Sequence, residues 1–551
     1  MSTPSDMKSR QDSEPAICNQ DSKFGQVLLL AVLSSLAVLP WLYKTPFGDS
    51  APNVGRDNRL DSLLECSLAA YDTSALNEPL VEALPVEEYI ERRDRLARAL
   101  VEEGLDAFVG EPGFTEVYYT NLSSFQWESW EPEERPFLMV VEPVLGIADT
   151  TNSEPKVVAR TTFLTPAFEL QRALALNMPL ANGTMSYATW EEHEDPFAIL
   201  SEYLYRYAAT RIQPRRLSQT SGRDGEKEAA IFPKPLVVAD DEMRLFIAQG
   251  LVASGLEVVP YSYTAAYALV KQLKSPREIA LLRAVNTLTI TAIRAVHNCL
   301  PSFLSLPSAR DRTSTPFFSR FFHATGLSTP KAKHSKASIS ELELSLTLDE
   351  VMRRGAGMDP FFDLVLFGPN AACPHCSSSP DVILNPDEDM ILIDVGSHLY
   401  GYSSDVCRTF FASSNSSSYR SSSSTKMELE EKLSIWSTVL DAQAAAIHAL
   451  SLPDATASSI DLAARGVISD AGYGVYFTHR LGHGIGIKAH EPPYLNKGNT
   501  GTVLKPGMVF TAEPGIYIEG VFGVRHEDII LITEDGVDIL SGVLPTSPWE
   551  P

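Results

Sequence analysis

The sequence predicts an α/β (α+β) protein with two folded domains behind a membrane-anchor helix. Three observations predict it. At 551 residues the chain exceeds what one hydrophobic core usually organises. Short strand-like apolar runs alternate with helical patterns from Val86 onward. A helix-start signal, Ser275-Pro276-Arg277-Glu278, divides the folded part in two. It combines an N-cap, a proline at the first helical position and a glutamate placed to close a capping box.

Residues 1–25 are polar and read as a disordered tail. Val27–Tyr43, VLLLAVLSSLAVLPWLY, is apolar or small throughout and is followed by Lys44, so 26–44 reads as an uncleaved, single-pass signal anchor. Lys8, Arg10 and Lys23 before it balance Lys44, Arg56 and Arg59 after it, so positive-inside bias hardly chooses an orientation. The sequons at Asn121, Asn182 and Asn415 lean towards a lumenal or extracellular body. Residues 45–85 read as a linker.

The first domain, 86–262, opens on a helix with Val86, Ile90, Leu96, Leu100 and Val101 roughly on one face and Gly104 as its stop. LDAFV, FLMVVEP (Phe137–Pro143) and PLVVAD (Pro235–Asp240) are its strand candidates. Trp127 and Trp130 read as core or interface aromatics. The second domain, 272–543, starts with the helix IALLRAVNTLTITAIRAVHNCL. Two stretches interrupt it as expected surface loops: 301–337, rich in Ser, Pro, Thr and Lys, and the low-complexity 413–425.

A net charge of −25 excludes nucleic acid as a partner, because phosphate binding needs clustered Lys and Arg. It supplies carboxylates, which divalent ions prefer. Six cysteines over this length are too sparse for a disulfide framework.

The chemistry lies in the second domain. In ILIDVGSHLYGYSSDVCRTFF, two strand-like runs flank a Gly/Ser/Tyr turn, which reads as an antiparallel hairpin bringing Asp394 and Asp405 opposite one another. Carboxylates so close repel unless a proton is shared or a cation lies between them. Taken alone, two solvent-facing aspartates at hairpin ends read the same way. HRLGHGIGIKAHEPP then places His479, His483 and His490 within twelve residues, among glycines at 482, 484 and 486. This is too Gly-rich for a helix, so a loop bearing one ligand and two neighbours is expected, its glycines allowing close approach to a ligand. MVFTAEPGIYI puts Glu513 at the end of a strand run and GVRHEDIILIT puts Glu527 at the start of another. Four carboxylates and one imidazole suit a pair of Mn²⁺, Zn²⁺ or Co²⁺ ions and not a thiolate zinc site.

At these residues the sequence resembles the pita-bread metallopeptidases of the aminopeptidase P and prolidase branch. The motifs DVG, SDVCRTF, GHGIG, AEPG and RHED carry the resemblance, which covers about Val86–Gly542. It implies a creatinase-like N-terminal domain ahead of a pita-bread catalytic domain, and two divalent metal ions, Mn²⁺ foremost, with hydrolysis of Xaa-Pro bonds in peptides. It implies Asp394 as ligand to one ion, His483 and Glu513 to the other, and Asp405 and Glu527 bridging both. It also implies substrate binding by His375, carbonyl polarisation by His490, proton transfer by Glu513, a pocket-lining His479, and Arg525 tethering a carboxylate. A homodimer is a further expectation.

The chain departs from the family pattern at Cys373-Pro374-His375-Cys376, also an oxidoreductase-like motif but without thioredoxin context. Oxidation of that pair is expected to displace His375. His526 stands where an aliphatic residue is common. A non-peptidase hydrolase or lyase on this fold, or an inactive binding scaffold, stays open as an alternative.

Overall fold

The computed structural model describes residues 58–72, 82–123, 126–127, 135–146, 156–179, 185–206, 234–307, 336–413 and 427–551. The expected tail and anchor, most of both insertions, Trp130, Asn182 and Asn415 lie outside the described residues. Arg59–Pro551 forms one compact unit.

Part of the expected linker is a helix, α1 (Asn58–Ala70). Leu60, Leu63, Leu64 and Ser67 recur at helical spacing, and Leu63 and Ser67 are buried. Cys66 of α1 is disulfide-bonded to Cys299, 233 residues away. Such a partner leaves no local spacing signal, which is why sparse cysteines concealed it. Tyr71 closes the junction by donating to the Leu288 carbonyl at 3.2 Å.

The next helix, α2 (Val86–Glu103), ends at Gly104 in the left-handed region, φ 73°. Its buried face differs from the expected one. Val86 is exposed, whereas Arg92 and Arg93 turn inward beside Leu96 and Leu100. Arg92 donates to the Tyr118 carbonyl (3.0 Å) and to the Tyr402 hydroxyl (2.7 Å), and Glu88 and Glu278, at 3.6 and 3.7 Å, balance its charge. Behind α2 stands a mixed sheet in the order β4-β3-β2-β1-β5-β6. Its strands are β1 (Ala107–Gly110), β2 (Leu138–Leu145), β3 (Val157–Pro166), β4 (Met185–Trp190), β5 (Leu236–Ala239) and β6 (Glu257–Val259). Trp127 is a core residue of this layer, its ring 4.1 Å from that of Phe137.

Helix α3 (Pro276–Leu304) begins as expected, with the Ser275–Glu278 capping box formed in both directions. It runs past the expected end, through Pro301. Among the described residues it is the one helix long and apolar enough to cross a membrane, but most of it is buried inside the body. Where the first insertion departs, Pro307 pairs with Lys336, so the chain leaves and returns at one point.

Two sheets follow. The first, in the order β10-β8-β7, contains β7 (Asp359–Phe367), β8 (Met390–Leu399) and β10 (Val406–Phe411), with the short β9 (Tyr402–Ser403) also on β8. Helices α3 and α4 (Glu341–Ala356) share its core. The second, in the order β12-β11-β13-β16-β17, contains β11 (Gly482–Gly484), β12 (Glu491–Leu495), β13 (Val509–Ala512), β16 (Asp528–Thr533) and β17 (Gly536–Ile539). Helices α5 (Leu429–Leu450) and α6 (Ala457–Asp470) share its core. A separate hairpin joins β14 (Gly515–Ile518) to β15 (Phe522–Arg525). Among the described residues one β-bridge joins the two sheets, Cys407 to Glu527, where Glu527 N–H donates to the Cys407 carbonyl at 3.0 Å.

Candidate metal centre

That bridge gathers the acidic residues. Asp394 on β8 lies opposite Cys407 on β10, and Cys407 in turn faces Glu527 at the start of β16. Tyr400 and Gly401 turn the hairpin with φ of 49° and 83°, the conformation a two-residue turn of the primed type needs. Asp405 sits two residues before Cys407, so it is a diagonal neighbour of Asp394 on the same face and not its direct partner. Helix α3 fixes it from below, where the Asn286 side-chain oxygen accepts from Asp405 N–H at 3.2 Å.

Within the histidine segment a short strand replaces part of the expected loop, while His479 and His490 lie outside strands. Gly482, His483 and Gly484 form β11, and the glycines serve the sheet. A Cβ on Gly482 would lie 2.1 Å from the Thr511 carbonyl oxygen, and one on Gly484 would lie 2.8 Å from the carbonyls of Glu491 and Pro492. The segment is held from α6. Arg465 donates to the carbonyls of Phe477 and His479, and Asp461 accepts from Leu481 N–H. From β16, Asp528 pairs with buried Arg408, and Gln443 bonds both Asp528 and the Ala512 carbonyl. These supports carried no sequence signal of their own.

His483 Nε2 lies 3.3 Å from Glu513 Oε1 and 3.6 Å from Asp405 Oδ2, and His490 Nε2 lies 3.5 Å from Asp405 Oδ2. Three overlapping groups present ligand atoms within 4.8 Å of one another: Asp394–Asp405–Glu527, His483–Glu513–Glu527 and Asp405–His483–His490. Among the described residues, Asp394 Oδ1, Asp405 Oδ2, His483 Nε2 and Glu527 Oε1 are buried without a hydrogen-bond partner. Orphaned acceptors in that number are rare in a folded core and fit cations between them. Each two of the groups share one residue, Asp405, Glu527 or His483, so the groups abut as the sites of neighbouring ions would.

The electrostatics agree. Burial pushes the Asp394 carboxyl up to about 6 despite Arg525. Burial, reinforced by Asp405, Glu513 and Asp394, lifts Glu527 well above the usual carboxylate range. Burial works to raise Glu513 as well, but the His483 imidazole overrides it and holds Glu513 at about 2. Burial opposes protonation of His483, yet Glu513 and Asp405 raise it. Four carboxylates meet too little positive charge, the imbalance that divalent cations relieve.

Arg525 tethers Asp394 Oδ2, donates to the Tyr517 hydroxyl at 2.8 Å and reaches the Pro374 carbonyl at 3.3 Å. Since Tyr517 accepts from Arg525, its own O–H donates to His479 Nε2 (2.9 Å), leaving His479 Nδ1–H to donate to the Arg480 carbonyl. Burial lowers the pKa of His479 and of His375, which favours neutral imidazoles. His375, His479 and His490 line one cavity of about 500 Å³ with Asp394, Asp405, His483, Glu513 and Glu527. Cys373 and Cys376 are disulfide-bonded on either side of His375, which still lines the cavity, so the expected displacement of His375 on oxidation is not seen. The cavity also takes Phe361, Phe362, His398, Arg480 and Lys488, which sequence reasoning did not single out. His398 and Phe361 are stacked at 4.3 Å, and in sequence His398 looked only like part of a turn.

The profile of metallopeptidase family M24 matches residues 322–534. An uncharacterized peptidase of Schizosaccharomyces pombe is 33% identical over 492 residues, covering 89% of each chain. The chain belongs to metallopeptidase family M24. The Xaa-Pro dipeptidase of Lactobacillus delbrueckii subsp. lactis is 41% identical over 201 residues, which are 36% of this M24 chain and 49% of that enzyme. Among solved structures, dipeptidase PepE from Mycobacterium ulcerans superposes with a TM-score of 0.59 at 24% identity, over 84% of this chain and 98% of its own. That likeness shows the shared pita-bread fold. As an M24 enzyme, the protein is a divalent-metal-dependent peptidase.

Proposed function

We propose that this M24 peptidase hydrolyses Xaa-Pro bonds at a dinuclear metal centre, most readily with Mn²⁺, with Zn²⁺ or Co²⁺ as alternatives. The observation that carries this is the set of overlapping ligand groups with their orphaned buried acceptors. Asp394 would serve one ion, His483 and Glu513 the other, and Asp405 and Glu527 both. A cation pair there supplies Lewis acidity that lowers the pKa of water and polarises a peptide carbonyl.

The chain's own residues do the rest. His490, half-exposed on the cavity side of Asp405, donates to the developing oxyanion. Glu513 accepts the nucleophile's proton and delivers it to the leaving nitrogen. His375 contacts substrate from the segment that Arg525 anchors through the Pro374 carbonyl. A bond to proline has no N–H, so the pocket selects it by shape. The named activity of the Lactobacillus relative supports the same substrate class.

The test is hydrolysis of Ala-Pro and Ala-Pro-peptides with Mn²⁺, against Ala-Ala controls. The proposal expects turnover of the proline substrates and its abolition in Asp405→Ala, which removes a shared ligand. Retained activity in that variant would refute the assignment.

The apolar run Val27–Tyr43 supports single-pass anchoring, with the body lumenal or extracellular and the exposed Asn121 open to glycosylation. In intact microsomes the body should resist added protease, and digestion would contradict this. A homodimer is likewise proposed, to be read by light scattering.

A further inference from the structure

The turn that carries His375 is tied down at both ends by one carboxylate. Glu341, buried on α4, accepts from Phe367 N–H (2.6 Å), the Asn370 amide (2.8 Å) and Ser379 N–H (3.0 Å). Ser378 Oγ also accepts from Val365 N–H at 2.9 Å. The tip between these anchors is held more loosely. Cys376 N–H reaches the Cys373 carbonyl at 3.4 Å and Arg525 reaches the Pro374 carbonyl at 3.3 Å, both long for hydrogen bonds. His375 is exposed, lines the catalytic cavity and makes no hydrogen bond among the described residues. Its place is therefore set by the backbone of the tip, which the Cys373–Cys376 disulfide locks covalently.

The two disulfides differ in what they constrain. Cys66–Cys299 joins residues 233 apart and restricts the unfolded chain widely, whereas Cys373–Cys376 joins residues 3 apart and stabilises little on that account. Its effect falls on the tip, and so on His375. Both cysteines are half-buried, and Cys376 packs against Leu366, Ala371, Leu392 and Cys407, which leaves Cys373 as the sulfur open to attack. A thiolate of a dithiol attacks the Cys373 sulfur, the S–S bond breaks, and Cys376 leaves as a thiolate that takes up a proton. The second thiol of the reductant then displaces Cys373. Two electrons have passed to the protein, which holds two thiols, and the reductant departs as a disulfide.

We propose that Cys373 and Cys376 are positioning residues for substrate: their disulfide holds His375 in the cavity, and its reduction by a dithiol frees the tip and weakens peptide binding. This rests on the function proposed above, in which His375 contacts substrate.

The experiment assays the full chain loaded with Mn²⁺ on Ala-Pro before and after reduction, by a dithiol and separately by a phosphine, which brings no thiolate to the metal. Alkylation and peptide mass mapping identify the bond that opened. Reduction should raise KM about 3- to 10-fold, the worth of one hydrogen bond, and leave kcat within about twofold and the metal content unchanged. Reoxidation should restore KM. Cys373→Ala/Cys376→Ala, which keeps Cys66–Cys299, should match the reduced enzyme and ignore the reductants. His375→Ala should show one raised KM in both redox states. A Cys373–Cys376 bond that neither reductant opens, an unchanged KM once it is open, or a loss confined to kcat or metal content overturns the proposal. So does a reductant response that persists in either variant. If Ala-Pro is not turned over, the Xaa-Pro reading fails and hydrogen exchange decides the role of the disulfide: amides of 372–378 should lose protection on reduction, and unchanged protection overturns it.

Discussion

Arg525 and His526 are neighbours with opposite duties. Arg525 holds Asp394, Tyr517 and the Pro374 carbonyl at once, and only a planar, multi-donor group reaches all three. Arg525→Lys should therefore cut kcat/KM by about 10- to 100-fold and weaken metal binding, as losses of ligand-orienting groups typically do. A change below threefold in a Mn²⁺ assay would contradict this. His526 is fully buried against Trp436, and burial lowers its pKa to about 3. Unfolded histidine titrates near 6.5, so the folded state binds fewer protons between those values. The stability this contributes is complete above about pH 6.5 and is lost as pH falls towards 3. Melting of the metal-free protein between pH 7 and 4.5 should fall more steeply for wild type than for His526→Phe, and parallel curves would refute the assignment. At this scale the candidate ligands were legible because carboxylates and imidazoles at strand ends form a chemical pattern. Arg480, Asp461 and Gln443 were not, since a lone polar residue has no pattern until a fold gives it neighbours.

At the scale of elements, local rules worked where structure is local. The Ser275–Glu278 box and the Gly104 stop each rest on a few adjacent residues and formed as expected, and the 394–405 hairpin formed with its two aspartates diagonal instead of opposite. The misreadings have a common cause. Gly482 and Gly484 looked like loop or ligand-approach glycines, yet they permit strands to close on each other, a need set for Gly482 by Thr511 in β13 and for Gly484 by Glu491 and Pro492 in β12. Helix α1 was read as linker because its stabilising partners, Cys299 and Leu288, belong to α3. Gly482→Ala would drive a Cβ into the Thr511 carbonyl, and because backbone cannot rotate away, β11 must shift and carry His483 with it. The expected cost is about 1–3 kcal/mol with near-complete loss of activity. Thermal melting and the Mn²⁺ assay check this, and an unaltered variant would mean the strand has slack the geometry denies.

Across the whole molecule, the first layer reaches the site through buried contacts. Arg92 on α2 binds Tyr402, whose hydroxyl donates to Glu278, and Tyr402 lies three residues from Asp405. The second layer closes the site through the Cys407–Glu527 bridge. Composition bounded the class of protein but could show neither contact, because both join segments more than a hundred residues apart.

What these contacts converge on is the proposed five-residue grip on two cations, and metal stoichiometry tests it most directly. After loading with Mn²⁺ and gel filtration, mass spectrometry of wild type should find about two manganese ions per chain, the complement of a dinuclear site. Glu527→Gln, which leaves the shape but weakens the ligand shared by two groups, should retain at most one. A wild-type protein that emerges with no bound metal, or a Glu527→Gln variant that keeps both ions, would contradict the account.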